Sequence, residues 1–143
     1  MLSITCKTAI KATIYLASKL DSEQKASIKE IAEYIDASEH TVGKMLQTLV
    51  KENIIKSAKG PSGGFYITAN QTQLSVLKIV LAIDGEDRFN ECGLGLSKCS
   101  STHPCPIHND YKIVRDGFKK ICVQNKIADL CVPFNKGIAF LMG

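Results

Sequence analysis

Residues 27–52 read SIKEIAEYIDASEHTVGKMLQTLVKE, and two serines in this stretch decide the fold. Ser27 opens Ser27-Ile28-Lys29-Glu30, the pattern of a capping box, in which a hydroxyl and a carboxylate satisfy free amides at a helix start. A short helix running to about Ile35 follows. After Asp36-Ala37, Ser38 is a second N-cap, and Val42, Met45, Leu46, Leu49 and Val50 recur on one face, which predicts a helix over 39–52. Two short helices joined by so tight a turn form a helix-turn-helix, whose second helix can lie in a DNA major groove. That helix turns a polar and basic face outward. Its candidate DNA contacts are Ser38, His40, Thr41, Lys44, Gln47 and Lys51, with His40 reading equally well as a solvated side chain.

Upstream, Leu2, Cys6, Ile10, Thr13, Leu16, Ala17 and Leu20 have helical spacing, so residues 2–20 form a first helix with one buried face. Downstream, Ile54-Ile55 and Phe65-Tyr66-Ile67-Thr68 flank Lys59-Gly60-Pro61-Ser62-Gly63-Gly64, two strands about a glycine-rich turn. This hairpin reads as a wing and adds Lys59, Gly60, Ser62 and Gly63 to the candidate DNA contacts. The run Leu74–Ile83, preceded by Thr72 and ended by Asp84-Gly85, is apolar nearly all round and predicts a buried helix. Residues 86–105 have no usable periodicity, and a loop of that length in a small domain is expected to be functional. Pro106 suits the first position of a long helix in which Ile107, Tyr111, Val114, Phe118, Ile121 and Cys122 form a narrow apolar stripe. A small winged domain leaves little core for that stripe, so it is expected to pair with a second copy about a two-fold axis. Ile127-Ala128-Asp129-Leu130 reads as one more helical turn, and residues 133–143 carry no signal.

The expected fold is therefore mainly α: a winged helix-turn-helix with a β-hairpin wing, then a cysteine loop and a long dimerisation helix. One domain divides into a DNA-binding region (1–70), a connecting helix (71–85), the cysteine loop (86–105), the dimerisation helix with a last turn (106–131) and a tail (132–143). With 45% apolar residues the chain can build a core, and a net charge of +4 suits an anionic partner without demanding one. Lys7, Lys11 and Lys19 interrupt the N-terminal apolar run, and no stretch reaches the roughly 20 apolar residues of a membrane span. A cytoplasmic protein is expected, with no membrane partner. No cysteine, histidine and carboxylate grouping resembles a nucleophile site, so no enzyme is expected.

Six cysteines in a reducing compartment point to metal or redox chemistry rather than disulfides. Cys92, Cys99 and Cys105 are separated by six and then five residues, and His108 follows after two more. Soft thiolates suit zinc or an iron-sulfur cluster, and wide, even gaps favour the cluster over zinc, whose structural sites use closer pairs. Three unrelated free thiols are the remaining reading of the loop. Cys105 and His108 lie one helical turn apart and can face one metal, with His103 a lesser substitute. Cys122 and Cys131 read as packing residues.

The segment Ala9-Ile10-Lys11 through Tyr15-Leu16-Ala17, the wing Lys59–Phe65, the cysteine triplet, Cys105-Pro106-Ile107-His108 and Ile127-Ala128-Asp129-Leu130 together resemble the IscR/NsrR-type (Rrf-two) regulators, to about residue 131. The resemblance implies a dimeric winged-helix repressor or activator whose iron-sulfur cluster senses nitric oxide, oxidative stress or iron-sulfur supply. It assigns Cys92, Cys99 and Cys105 as cluster thiolates and His108 as the histidine ligand of IscR-like members. Three positions depart from the pattern. The wing's usual Arg-Gly-Pro is Lys59-Gly60-Pro61, which exchanges a bidentate fork for a point charge. The first cysteine gap is one residue longer. Lys7 stands where NsrR-like members carry a ligating aspartate, which favours [2Fe-2S] over [4Fe-4S], while the neighbouring Cys6 reads as core rather than as a cross-subunit thiolate. The expected function is operator binding to double-stranded, pseudo-palindromic DNA, modulated by that cluster. The alternatives are a cluster-free thiol-switch regulator and an iron-sulfur carrier or electron-transfer protein.

Overall fold

A computed structural model describes residues 1–143. Helix α1 (Ile4–Ser18) is capped by the Ser3 hydroxyl, which accepts from the Cys6 amide, so the helix begins after Ser3 rather than at Leu2. It is the central helix, packing against the recognition helix and two later helices. Helix α2 (Ile28–Tyr34) is capped by the Ser27 hydroxyl accepting from the Glu30 amide. The other half of the expected capping box is not made. Glu30 instead accepts the Tyr15 hydroxyl at 2.9 Å and pairs with Lys19 at 3.3 Å, which ties α2 to α1.

The turn between α2 and α3 (Glu39–Lys51) is a Schellman motif. Asp36 takes the left-handed conformation at φ 53, and the Ala37 amide reaches back to the Ala32 carbonyl. Ser38 then caps α3 through the Thr41 amide. The same closure recurs at the other end of α3, where Asn53 (φ 61) lets the Ile54 amide bond the Leu49 carbonyl and drives Ile54 into the core. Ile31, Ile35, Val42, Leu46, Leu49, Ile54 and Ile55 are all at most 2% exposed and meet Leu16 of α1. Each such side chain contributes about 1.5–3 kcal/mol through the apolar surface it removes from water.

The wing is shorter than its sequence predicts and shifted along the chain. β1 (Lys56–Ala58) pairs antiparallel with β2 (Gly64–Tyr66), while Ile54 and Ile55 belong to the core just before the hairpin. The apolar pair marks the root of the wing, and the polar Lys56 and Ser57 form the strand because only backbone pairing is needed there. Ala26 bridges Phe65 from the other side, its amide and carbonyl both bonded, so β2 is held on both edges. Gly64 sits at φ +142, with the Ala26 carbonyl 2.8 Å from where a Cβ would stand.

A four-residue helix, α4 (Ala69–Thr72), follows on a full capping box between Thr68 and Gln71, and the sequence reading missed it. Thr72 therefore ends α4, and Ser75 precedes α5 (Val76–Asp84). α5 buries Val76, Ile79 and Val80, but Leu77, Leu81 and Ala82 stay half-buried, so the helix is not enclosed all round. After a 3-10 turn at Glu86–Phe89 and the cysteine loop, α6 (His108–Gln124) starts two residues later than Pro106 predicts. α7 (Ile127–Asn135) runs past the single expected turn and packs on α1.

The apolar stripe expected along α6 divides. The inward column is His108, Tyr111, Arg115, Phe118 and Cys122, stepping by three and four, while Ile107, Val114 and Ile121 point outward at 39%, 58% and 57% exposure. Phe118 and Cys122 close a second small core with Phe89, Val76, Val80 and Cys6. Cys6 is fully buried there, as its core reading expects.

Burial pushes the Cys6 thiol up to about 12, and the Asp84 carboxylate and Cys122 press the same way. The folded chain then holds this proton more tightly than the unfolded chain, so the thiol's contribution is fully present below its ordinary value of 9.0 and is lost as pH rises towards 12. Denaturation midpoints should be steady near neutrality and fall through that alkaline window. Cys6→Ala should flatten the fall, as urea titrations across pH would show.

Candidate metal centre and nucleic-acid interface

The cysteine loop lies across the inward column of α6. Cys92 and Cys105 are buried at 8% exposure, His108 at 7%, and Cys99 is half-buried. Cys99 Sγ stands 3.3 Å from His108 Nδ1. Cys92 and Cys105 lie close enough for their thiols to hydrogen-bond. The structure thus brings together the four residues that the sequence singles out. No three histidine, cysteine or carboxylate side chains converge as one bound ion would require. His103 is exposed and turned to Thr102 and Ser100, away from the thiols. Cys122 and Cys131 are buried among apolar side chains, as packing residues are.

The loop's backbone creates a setting for thiolates. The Leu94 amide donates to Cys92 Sγ at 3.4 Å. With the Leu96 amide it holds the Cys92 thiol below its ordinary range against the cost of burial, and Cys105 adds to the lowering. Cys105 moves the other way: burial raises it, and the neighbouring Cys92 and Cys99 add to that against the Ile107 amide. One thiol is thus prepared as an anion while its neighbour keeps its proton. Three sulfurs and an imidazole, backed by amide donors, are a donor set of the kind iron-sulfur clusters use. Because such a cluster spreads its protein ligands over more than one iron, the donors need not meet at a single point. The residues present fit the group.

Three further residues hold this arrangement, and the sequence reading missed their roles. A Cβ on Gly93 would stand 2.6 Å from the Tyr111 ring, so the loop can lie flat on Tyr111 only with glycine here. Arg115, at 6% exposure, donates from Nη1 to the Glu91 carbonyl at 3.2 Å. Its charged form is favoured, since the nearby Cys99 thiolate and Asp116 outweigh the opposing cost of burial. An arginine in a helix reads as a surface residue; only its step of seven from His108 places it inward.

At the other end of the loop, Arg88 pairs with Glu91 at 3.2 Å and with Asp84 at 3.3 Å. Asp84 accepts both the hydroxyl and the amide of Ser3. The cysteine loop is therefore connected by charged contacts to the cap of α1.

On the opposite side of the domain, His40, Lys44, Gln47 and Lys51 stand exposed at steps of three and four along α3. Ser38 and Thr41 share a hydroxyl hydrogen bond of 2.8 Å at its start. Lys59, Gly60 and Ser62 are exposed at the wing tip. Gly63 is partly covered, and a side chain there would meet the Ala58 carbonyl at 2.3 Å, so the turn itself demands glycine.

A helix-turn-helix with an exposed polar recognition helix, followed by a hairpin wing, defines a DNA-binding transcription regulator of the winged-helix class. The Rrf2 family, described as "Iron-dependent Transcriptional regulator", matches residues 2–133, and the chain belongs to it. It is a regulator and not an enzyme. The HTH-type transcriptional regulator NsrR of Oceanobacillus iheyensis is 23% identical over 136 residues, covering 94% of this chain and 91% of that protein. Among solved structures, CymR (YrzC), the global cysteine regulator of B. subtilis, superposes with a TM-score of 0.73 at 19% identity over 92% of this chain and 96% of the other. IscR of T. potens does so with 0.72 at 18% identity over 97% and 91%. At these identities the two structures bear out the winged fold alone. No helix is long and apolar enough to cross a membrane.

Gly93→Ala should lift the loop from Tyr111. The expected outcome is faster amide exchange across residues 90–99, with helical circular dichroism unchanged.

Proposed function

We propose that this chain is a cytoplasmic, homodimeric regulator whose binding to a pseudo-palindromic operator is modulated by an iron-sulfur cluster held by Cys92, Cys99, Cys105 and His108. The observation that carries the reading is the contact between Cys99 and His108 beside two buried thiols, on the face of α6 that anchors the loop. A histidine in the donor set, with the exposed Lys7 on α1 unable to ligate while protonated, supports [2Fe-2S] over [4Fe-4S]. When bound, the cluster supplies redox chemistry and reactivity towards nitric oxide or oxidants, or it reports iron-sulfur supply.

The outward face of α6 supports the dimer. Val114 and Ile121 stand exposed on either side of Gly117, which has no neighbour within 4 Å of a Cβ and so permits close approach of a second helix. Dimerisation there would set the distance between two recognition helices, and operator half-sites one helical turn apart would match only one such distance. The loop bears on α6 through His108, Tyr111 and Arg115, and on α1 through Glu91, Arg88, Asp84 and Ser3. Any change in the loop that favours one arrangement of these helices over another shifts operator affinity by that difference. Ser38, His40, Thr41, Lys44, Gln47 and Lys51 on α3, with Lys59, Gly60, Ser62 and Gly63 of the wing, are the proposed DNA contacts.

Anaerobically purified protein should be coloured, contain iron and sulfide, and give the Mössbauer signature of a [2Fe-2S] centre. Colourless protein without iron would overturn the reading in favour of a thiol switch. Cys99→Ala should lose the visible absorption and keep its helical circular dichroism. Lys59→Ala should weaken operator binding and reduce the slope of log affinity against log salt by about 1; an unchanged slope would remove Lys59 from the phosphate contacts.

A further inference from the structure

Arg115 is buried in the middle of α6, where a charge is costly unless it is paired. Its partners do not use it up. Nη1 bonds the Glu91 carbonyl, Nη2 stands a long 3.5 Å from the exposed Asp116 carboxylate, and the buried Nε has no partner at all. It shares the inward face with His108, two helical turns away. His108 Nδ1 contacts Cys99 Sγ from one side, and Cys99 also lies within hydrogen-bonding reach of the Arg115 guanidinium. The loop enters the site at Glu91-Cys92 and passes through Cys99, so one guanidinium touches both segments.

We propose that Arg115 is a positioning residue of the cysteine site, which clasps the start of the loop to the Cys99 thiolate and sets a fixed positive charge beside whatever the thiolates bind. The inference rests on the cluster reading above. Arginine suits the task because its planar fork reaches a carbonyl and a sulfur at once while its charge cannot be lost by titration. A charge so placed favours the more negative, reduced state of a cluster. Outer partners of this kind also hold the ligands in position.

The test compares wild type, Arg115→Met and Arg115→Lys, each reconstituted anaerobically with iron and sulfide. Three readouts apply: cluster content, reduction potential, and rate of iron loss to a chelator. Arg115→Met should take up a cluster with a more negative potential and retain iron about 10- to 100-fold less well. Arg115→Lys should restore the potential and lose iron faster than wild type, since it keeps the charge but not the fork. Potential and retention equal to wild type in Arg115→Met would overturn the proposal while leaving the cluster reading intact. A wild-type chain that takes up no cluster would overturn both, and that control separates the two failures. Should Arg115→Met not fold, Arg115→Lys carries the test, and iron loss at the wild-type rate would overturn the proposal.

Discussion

The column His108, Tyr111, Arg115, Phe118 and Cys122 is the constraint on which the second half of the molecule depends. Its lower members belong to a small apolar core with Phe89, Val76 and Cys6, which fixes how α6 is rotated about its own axis. Its upper members meet the cysteine loop through an imidazole, a ring face and a guanidinium. Because side chains three and four residues apart share one face, packing at one end determines what the other end presents to the thiols. The same rotation leaves Val114, Gly117 and Ile121 outward.

A second connection leaves the loop in the opposite direction. Asp84 closes α5, accepts from the cap residue of α1 and pairs with Arg88, whose other partner, Glu91, directly precedes Cys92. The Asp84 side chain is almost wholly buried, so this ion pair is shielded from the solvent that makes surface pairs weak. α1 in turn packs on α3. The cysteine loop thus rests on two stiff elements, the long helix and the cap of the central helix. Neither contact is made by a cysteine.

The first half of the fold was legible because its signals are local. Ser27 and Ser38 cap the helices that they predict, and the periodicity of Val42, Met45, Leu46 and Leu49 is the buried face of α3. The wing was legible as a hairpin but not in its exact strands, since Ile54 and Ile55 are apolar for the core and not for the sheet. The thiols and His108 were found by their chemistry and spacing, and the structure places them together. Arg115, Tyr111 and Gly93 were not, because their roles arise from a long loop folding back on a helix, and no short-range pattern encodes that contact. Arg115 displaced Val114 from the inward column because its charge has partners in the loop, so hydrophobicity alone chose the wrong neighbour by one residue.

Gly95, at φ +74, sits in an exposed stretch of the cysteine loop with nothing close around it. Loop closure becomes only slowly more costly with length, so an added residue between Cys92 and Cys99 is nearly free, as the longer gap in this chain illustrates. An added residue between His108 and Arg115 would instead rotate half the column by about 100°. The two parts of the site therefore have different tolerance to insertion and deletion. Relatives of this protein are better aligned on the register of the long helix than on the spacing of the cysteines, although it is the cysteines that first catch the eye.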